Sequence, residues 1–452
     1  MSILPPNFHR QLYNAFDPFR PLEAGDKAYV ECQKVRGDGD VIVQLGTPII
    51  FSNKLTYQLY TGHRGAGKST ELKRLKKHLE DRNFHVVYFA AGDDLDEEDI
   101  QYTDILLACT RYLLEDLKDK ADVSPLVDWL KNRWTALKDL ALTDISFDKI
   151  SLEVGISQFA KVMAVMRESP NTRQAIQQEF EKHTSSLIDE LNKFIDSAKK
   201  EFGNDCSGIV VIADNLDRIA LVFDQASQRT NHDQIFIDRS EQLRRLECHM
   251  IYTVPISMVY SDRATVLEDR FAGIQSLPMV MTHTRDENIY QDGINKLKEL
   301  VEKRINLVDS QASSSDVFED DAVFTNLCFQ SGGHVRNLVL LVRIALERTG
   351  QLPISKKAAL RAIAEMRNTY RKGINDDEWP ILAKVHLSKH KSNNYECNKL
   401  LFNRSILEYH LVDDNDIKPW YDVHPLILDI EEFQQAIEKE KKPKSEHGED
   451  KQ

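Results

Sequence analysis

Ten residues constrain this chain more than any others: Thr61-Gly62-His63-Arg64-Gly65-Ala66-Gly67-Lys68-Ser69-Thr70. They satisfy the pattern G-x-x-x-x-G-K-[ST], with Gly62, Gly67, Lys68 and Ser69 in its four fixed slots. Glycines at this spacing let a loop turn its N–H groups inward around a phosphate. A lysine in this slot reaches the β- and γ-phosphates of a nucleotide, and the serine hydroxyl holds Mg²⁺. A helix starting at the loop adds the positive end of its dipole. The context agrees. Thr56 to Tyr60 reads as a strand, and Leu72, Leu75 and Leu79 give the next segment one apolar helical face opposite Lys73, Arg74, Lys76 and Lys77. The alternative is a chance glycine-rich turn. ATP with Mg²⁺ is therefore the predicted ligand pair, and Gly62 to Thr70 the candidate contact residues.

A second stretch supports the first. Gly208 to Asp214 is the clearest strand pattern in the chain and runs into Asp214-Asn215-Leu216-Asp217. An acid at the end of a buried strand holds Mg²⁺ directly or through water, so Ser69 and Asp214 are the candidate metal ligands. The bland alternative is a turn cap. His85 to Ala90, Met250 to Pro255 and Leu277 to Met281 read as further strands. Thr253, at the end of one of them, stands where a γ-phosphate sensor could sit.

The chain has 452 residues, 41% hydrophobic and 29% charged, which implies two or three soluble domains. No run approaches the roughly 18–20 apolar residues of a membrane span. Pro5, Pro6 and Asn7 interrupt the place where a signal peptide needs an apolar core. A cytoplasmic location is expected. Six scattered cysteines form no C-x-x-C pair, which argues against a zinc or redox motif. The net charge of −13 opposes nucleic acid globally, so any such binding needs a local basic patch.

In chain order, residues 1–50 form an approach segment. The ATPase core is expected over 51–308, with a helical insertion over about 100–205. Gly92 to Asp99 is an acidic loop, either a metal site or, more economically, a pair of glutamates capping the next helix. Asp148 to Ile156 alternates and predicts a short strand or hairpin. Ser310 to Ser315 predicts a linker. Residues 316–372 predict a helical lid, with two helices parted by Ser331-Gly332-Gly333-His334-Val335-Arg336. Residues 373–432 give short helices and then a hairpin across Asp413-Asp414-Asn415-Asp416, the pattern of a winged helix-turn-helix. Residues 433–452 predict a disordered tail. The fold class is α/β: a P-loop parallel sheet with a helical insertion, then a helical lid and a C-terminal winged helix.

This order of motifs resembles the AAA+/STAND branch of P-loop ATPases, in particular the clade of origin-recognition initiators and bacterial conflict-system ATPases. The resemblance spans about residues 40–430. It implies a sensor arginine at Arg336 and an arginine finger at Arg270, in Glu-Asp-Arg-Phe, that reaches a neighbour's nucleotide in an oligomer. A surface or salt-bridged arginine is the alternative at each. Approach segments in P-loop ATPases pack on adenine; Tyr29, Val30 and Val35 either do so or pack ordinarily. One departure matters. Initiator-type ATPases place a glutamate after the metal-binding aspartate, and this chain has Asn215. An amide cannot act as a general base. Either Asp217 takes that role or hydrolysis is slow.

The resemblance implies an ATP-gated switch that controls self-assembly, or assembly with a separate effector protein, in bacterial antiviral defence. No nuclease, protease, deaminase or TIR-like motif accompanies the ATPase. The alternative is a DNA-binding initiator or transposition regulator, gripping DNA through Lys384, His386, Lys389, His390, Lys391, Lys399 and Arg404. The winged helix then either grips DNA or folds back on the ATPase. A small-molecule or polynucleotide kinase is a third class, in which lid and winged helix have no obvious role.

Overall fold

The structure is a computed structural model that describes residues 7–442 apart from 94, 140–151, 227, 272, 414 and 415. Helix α1 (Phe8–Ala15) precedes strand β1 (Tyr57–Gly62) and helix α2 (Lys68–Glu80). Strand β2 (Phe84–Ala90) leads to four helices: α3 (Tyr102–Leu117), α4 (Ser124–Asp139), α5 (Leu152–Glu168) and α6 (Pro170–Phe202). Strands β3 (Gly208–Asp214), β4 (His249–Thr253) and β5 (Ile274–Leu277) follow. Then come α7 (Gln291–Val308), α8 (Asp321–Gln330), α9 (Val335–Glu347) and α10 (Lys356–Lys372). The last elements are α11 (Trp379–Ser388), α12 (Tyr395–Phe402), the hairpin β6 (Ile406–Asp413) and β7 (Asp416–Val423), and α13 (Glu431–Lys441). No described helix is long and apolar enough to cross a membrane.

The chain divides into two compact units. One comprises Asp40–Thr61 and Ser69–Ser276; the other comprises Met1–Gly39, Gly62–Lys68 and Leu277–Gln452. The first holds the sheet, in the order β2-β3-β4-β1-β5. Its β1–β4, β2–β3 and β3–β4 ladders are parallel. Parallel strands need long crossovers and bury both faces, which explains their continuous apolar runs. The helices α3 to α6 pack in the same apolar core as the sheet. Leu72, Leu75 and Leu79 are fully buried on the inner face of α2.

In the second unit α1, α7, α8, α9 and α10 share one core with Val30 and Val35. The β6–β7 hairpin is antiparallel, with Tyr409 opposite Trp420. The two short helices and hairpin expected of a winged helix are both present.

Several expectations are corrected. The fifth strand lies at Ile274–Leu277, earlier than Leu277 to Met281. Pro278 has no N–H for the ladder, and the next donors leave the sheet: Met279 N–H goes to Glu408 O and Met281 N–H to Val35 O. Glutamates of the acidic loop do not cap α3; Gln101 and Asp104 form its capping box. Residues 152–156 belong to α5 rather than a strand, and 148–151 lie outside the described residues. The Ser310 to Ser315 segment is not a free linker: Ser313 and Asp316 form a capping box, and Ala312 is buried. Residues through Lys441 of the expected tail form α13, with Phe433, Ala436 and Ile437 buried; residues 443–452 lie outside the described residues.

Candidate phosphate-binding site

The loop Gly62–Lys68 belongs to the second unit, with α7 to α13. Gly65 has φ +88°, and a Cβ there would stand 2.6 Å from the His334 ring and 2.9 Å from Arg336 Cβ. Only glycine serves both the left-handed backbone and the close approach. Lys68 is buried and donates to the carbonyls of Gly62 (2.6 Å) and His63 (2.9 Å).

Three consecutive carbonyls of the loop are each held by a donor from elsewhere in this unit. Arg64 O accepts from His334 Nε2 at 2.5 Å. Gly65 O accepts from the Arg336 N–H at 3.2 Å. Ala66 O accepts from Arg36 at 2.8 Å, and the same guanidinium donates to Pro278 O at 2.8 Å. Fixing a carbonyl fixes its peptide plane, and with it the opposite direction of the following N–H. This collar orders the loop's peptide planes from outside.

The histidines in the collar are neutral. Burial pushes His334 well below its ordinary range, and its Nδ1 accepts from the Asn337 N–H at 3.0 Å, capping α9. One neutral tautomer satisfies both contacts. Burial likewise pushes His63 down to about 3. Its Nε2 accepts from the Glu408 N–H of the hairpin at 3.0 Å. Arg36 and Glu408 were not legible as site residues, because a contact made through a backbone group leaves no residue pattern. Gly333 has φ +74°, and a Cβ there would meet Val280 O at 1.7 Å. That explains the small-residue turn before Arg336.

In the other unit, Asp214 is buried at the end of β3, opposite Ala90 in the β2 ladder. Tyr88 Oη donates to its Oδ2 at 2.6 Å and the Asn215 N–H to its Oδ1 at 2.7 Å. Burial, followed by the Asp217 charge, raises its pKa, while hydrogen bonds from Ser69, Tyr88 and the Asn215 N–H pull it back. A serine hydroxyl beside one carboxylate matches Mg²⁺, which takes one or two protein oxygens and otherwise phosphate and water. Among the described residues no group of three metal-ligating side chains competes with this reading.

Thr253 lies at the β4 end with its hydroxyl occupied. It accepts from the Leu216 N–H at 2.9 Å and reaches Ala213 O at 3.4 Å, bracing the turn after β3. Asn215 has φ +66°, a region that asparagine tolerates better than glutamate. The residue that departs from the initiator pattern is thus also the one the turn's backbone favours. Asp217 is buried in the short turn Leu216–Arg218.

Arg270 ends the short helix Ala264–Arg270 with its side chain exposed. Arg336 is half-buried, donates Nε to Pro18 O at 3.2 Å and lies 5.7 Å from the Phe19 ring. Val30 and Val35, named for adenine, pack in the second unit's core, and Tyr29 O accepts from Lys303.

Of the basic group named for DNA, Lys389 is buried, His386, Lys391, Lys399 and Arg404 are half-buried, and Lys384 and His390 are exposed. Asp422 is buried and takes Lys389 Nζ at 2.7 Å, His386 Nδ1 at 2.7 Å and His283 Nε2 at 3.0 Å. Burial opposes its charge, yet His283 and His386 hold its pKa well below the usual carboxylate range. Lys391 bonds Asn398 at 3.0 Å, and burial pushes its pKa down to about 8. Lys399 pairs with Glu378 at 2.8 Å, Lys384 with Glu440 at 3.7 Å, and His390 meets Arg285 at 3.2 Å. Arg404 is half-buried in a left-handed backbone.

Comparison with known proteins adds fold neighbours. No protein-family model matches the sequence, and neither does any curated protein. Solved structures similar to it include Cdc6p from Pyrobaculum aerophilum, 11% identical over 97% of this chain and 100% of that one, TM-score 0.38. The Aeropyrum pernix ORC2 protein, solved as ADPNP–ADP complexes, is 11% identical over 94% and 96%, TM-score 0.44. The Aeropyrum pernix ORC1 protein, solved in complex with DNA, is 10% identical over 94% and 96%, TM-score 0.38.

Proposed function

We propose that this chain is an AAA+/STAND-like switch that binds ATP with Mg²⁺ and uses it to control self-assembly or assembly with a separate partner protein. The supporting observation is the collar of three carbonyls on the phosphate loop. His334 and Arg336 come from the segment opening α9, and the hairpin touches the same loop through Glu408 and His63. A loop held in this way transmits any change of its own to those elements.

In this reading Lys68 leaves the Gly62 and His63 carbonyls for the β- and γ-phosphates. Ser69 and Asp214 hold Mg²⁺, which neutralises phosphate charge when bound. The N–H groups of Gly62 to Thr70 line the phosphates. Arg336 exchanges Pro18 O for the γ-phosphate, and exposed Arg270 serves a neighbouring copy's nucleotide. Asp217 is the carboxylate left to orient water, since Asn215 cannot take a proton. Thr253 acts through the turn it braces. The domain division 51–308, 316–372 and 373–432 completes the proposal. An antiviral-defence setting comes from the resemblance and from no contact in the structure. The DNA-binding alternative requires a basic surface other than Lys389, Lys391 and Lys399, which are engaged internally.

Mass photometry with and without ATP–Mg²⁺ tests the reading. The expected result is a mass increase with ATP that Lys68→Ala abolishes. Absence of ATP binding overturns the nucleotide reading. Binding without any size change, alone or with candidate partners, overturns the assembly reading.

A further inference from the structure

The acidic loop after β2 does not cap α3, and its carboxylates are taken elsewhere. Leu95 and Ile100 are buried in the core of the sheet-bearing unit and pin the last stretch of the loop at both ends. Between them, Asp96 accepts from Arg173 Nη2 at 2.6 Å and Asp99 from Arg173 Nη1 at 3.5 Å. Arg173, in the first turns of α6, is 3% exposed. Its guanidinium also reaches the last turn of α5: Nε donates to Met166 O at 2.6 Å and Nη2 to Arg167 O at 3.2 Å. Carbonyls at a helix C-terminus lack partners inside the helix and carry the negative end of its dipole, so a cation suits them. Gln177 stands one turn further along α6 on the same face. Its Nε2 donates to Asp99 O at 3.4 Å and to Asp104 Oδ2 at 2.8 Å. Two side chains of α6 therefore grip the loop, the end of α5 and the start of α3 together.

The gripped loop in turn holds the acid turn after β3. Glu97 O accepts the Ala220 N–H at 2.8 Å, and Glu97 Oε1 accepts from Arg218 Nη1 at 3.4 Å. The Arg218 N–H closes the turn on Asn215 O at 3.1 Å. Asp217 lies between these ties and is buried. Tyr88 and Thr253 hold the start of the turn; Glu97 holds its exit. The backbone on the C-terminal side of Asp217 therefore follows the acidic loop. All of these residues belong to the sheet-bearing unit.

We propose that Arg173 and Glu97 are positioning residues for Asp217, so that the helical insertion serves ATP hydrolysis by bracing the acid turn. This deepens the reading of Asp217 as the water-orienting carboxylate and rests on it. Both residues act through others: Arg173 through Asp96 and Asp99, Glu97 through Arg218 and Ala220. A group that orients a reactant must be held within about 0.5 Å of its productive place. The half-exposed Glu97–Arg218 pair is a weak tether alone. The loop behind it must be stiff, and the buried guanidinium supplies that stiffness. Without it, Asp96 and Asp99 lose their shared cation and the α5 carbonyls lose their donor. The loop then loosens, and the exit of the turn loosens with it.

The test is single-turnover hydrolysis of ATP–Mg²⁺ by the full chain, beside ATP binding by calorimetry and urea melts. Arg173→Gln should slow hydrolysis about ten- to a hundredfold while the ATP Kd stays within about twofold. Arg173→Lys should recover part of the rate, since it restores the charge without the fork. Glu97→Gln should slow hydrolysis by a smaller factor, and Glu97→Arg combined with Arg218→Glu should restore what either change removes. Glu98→Gln, at the exposed residue between Glu97 and Asp99, should change nothing. If Arg173→Gln does not fold, Glu97→Gln and the charge exchange decide alone. Unchanged rates in Arg173→Gln and Glu97→Gln overturn this inference and leave the Asp217 reading standing. A loss of ATP binding that tracks the folded fraction, with the rate per bound ATP unchanged, makes Arg173 structural only and overturns it too. A parent chain that hydrolyses no ATP, or whose rate ignores Asp217→Asn, overturns the Asp217 reading and this inference together.

Discussion

The phosphate loop and the acid turn after β3 solve similar problems by opposite means. Each is a tight turn at a strand end with left-handed backbone, at Gly65 in one and Asn215 in the other. The acid turn is held by its neighbours in the sheet: Tyr88 from β2, Thr253 from β4 and the N–H of the next residue. The loop is held from afar, by Arg36 and by His334 and Glu408, the last two 270 and 345 positions along the chain from their partners. A turn braced by its own sheet is a fixed platform. A loop braced by the start of α9 and by the hairpin is tied to elements outside the sheet.

Substitutions can break or sharpen that contrast. The largest effect is expected for Lys68→Ala, which removes a charged donor worth about 1.5–3 kcal/mol and should weaken ATP binding ten- to a hundredfold or more by calorimetry. His334→Ala removes both a collar donor and the α9 cap. It should lower stability by about 1–2 kcal/mol in urea melts and weaken ATP binding several-fold, while His334→Asn recovers part of the cap. If ATP binding is unchanged in His334→Ala, the loop does not depend on the collar and the contrast fails.

Acid provides a graded test. His63 is held at about 3 in the folded chain against an ordinary value near 6.5, so the unfolded chain takes up a proton the folded one refuses. Its contribution is fully present above about 6.5 and is lost as pH falls towards about 3. His63→Asn should flatten the fall of unfolding free energy across that window. Asp104, pushed up to about 7 by burial in the sheet-bearing unit, has the opposite sign: its contribution declines as pH rises from about 3.9 to about 7.

The acid turn should respond more weakly. Asn215→Gly should preserve stability, whereas Asn215→Glu should cost about 1 kcal/mol for its left-handed backbone. A rise in ATP turnover in Asn215→Glu despite that cost would show that the missing carboxylate limits hydrolysis. The smallest effect is expected for Tyr88→Phe. Removing its hydrogen bond raises the Asp214 pKa further, so Mg²⁺ dependence should shift to higher pH in an ATPase titration. An unchanged profile would mean that Tyr88 does not tune the acid.

Legibility followed the range of the interactions. The loop, the β3 acid, the helical insertion and the C-terminal hairpin were readable because each rests on local spacing. The fifth strand was misplaced because its apolar run continues past Pro278, where the ladder stops. The basic residues near Lys389 suggested a phosphate-binding surface. A string of charges does not show that Asp422, more than 30 positions later, is buried among them.

The sequence by itself determined the phosphate-binding motif, the strand ending in Asp214 and the small-residue turn before Arg336. In each case backbone sterics or helix and strand periodicity leave a short-range signature. Only the tertiary structure decided that three loop carbonyls are held from outside, that Thr253 is spent on a turn and that Lys389 and His386 close on Asp422. These depend on backbone groups and on side chains far apart in the chain, and hydrogen bonds of that kind impose no spacing that a linear pattern can show.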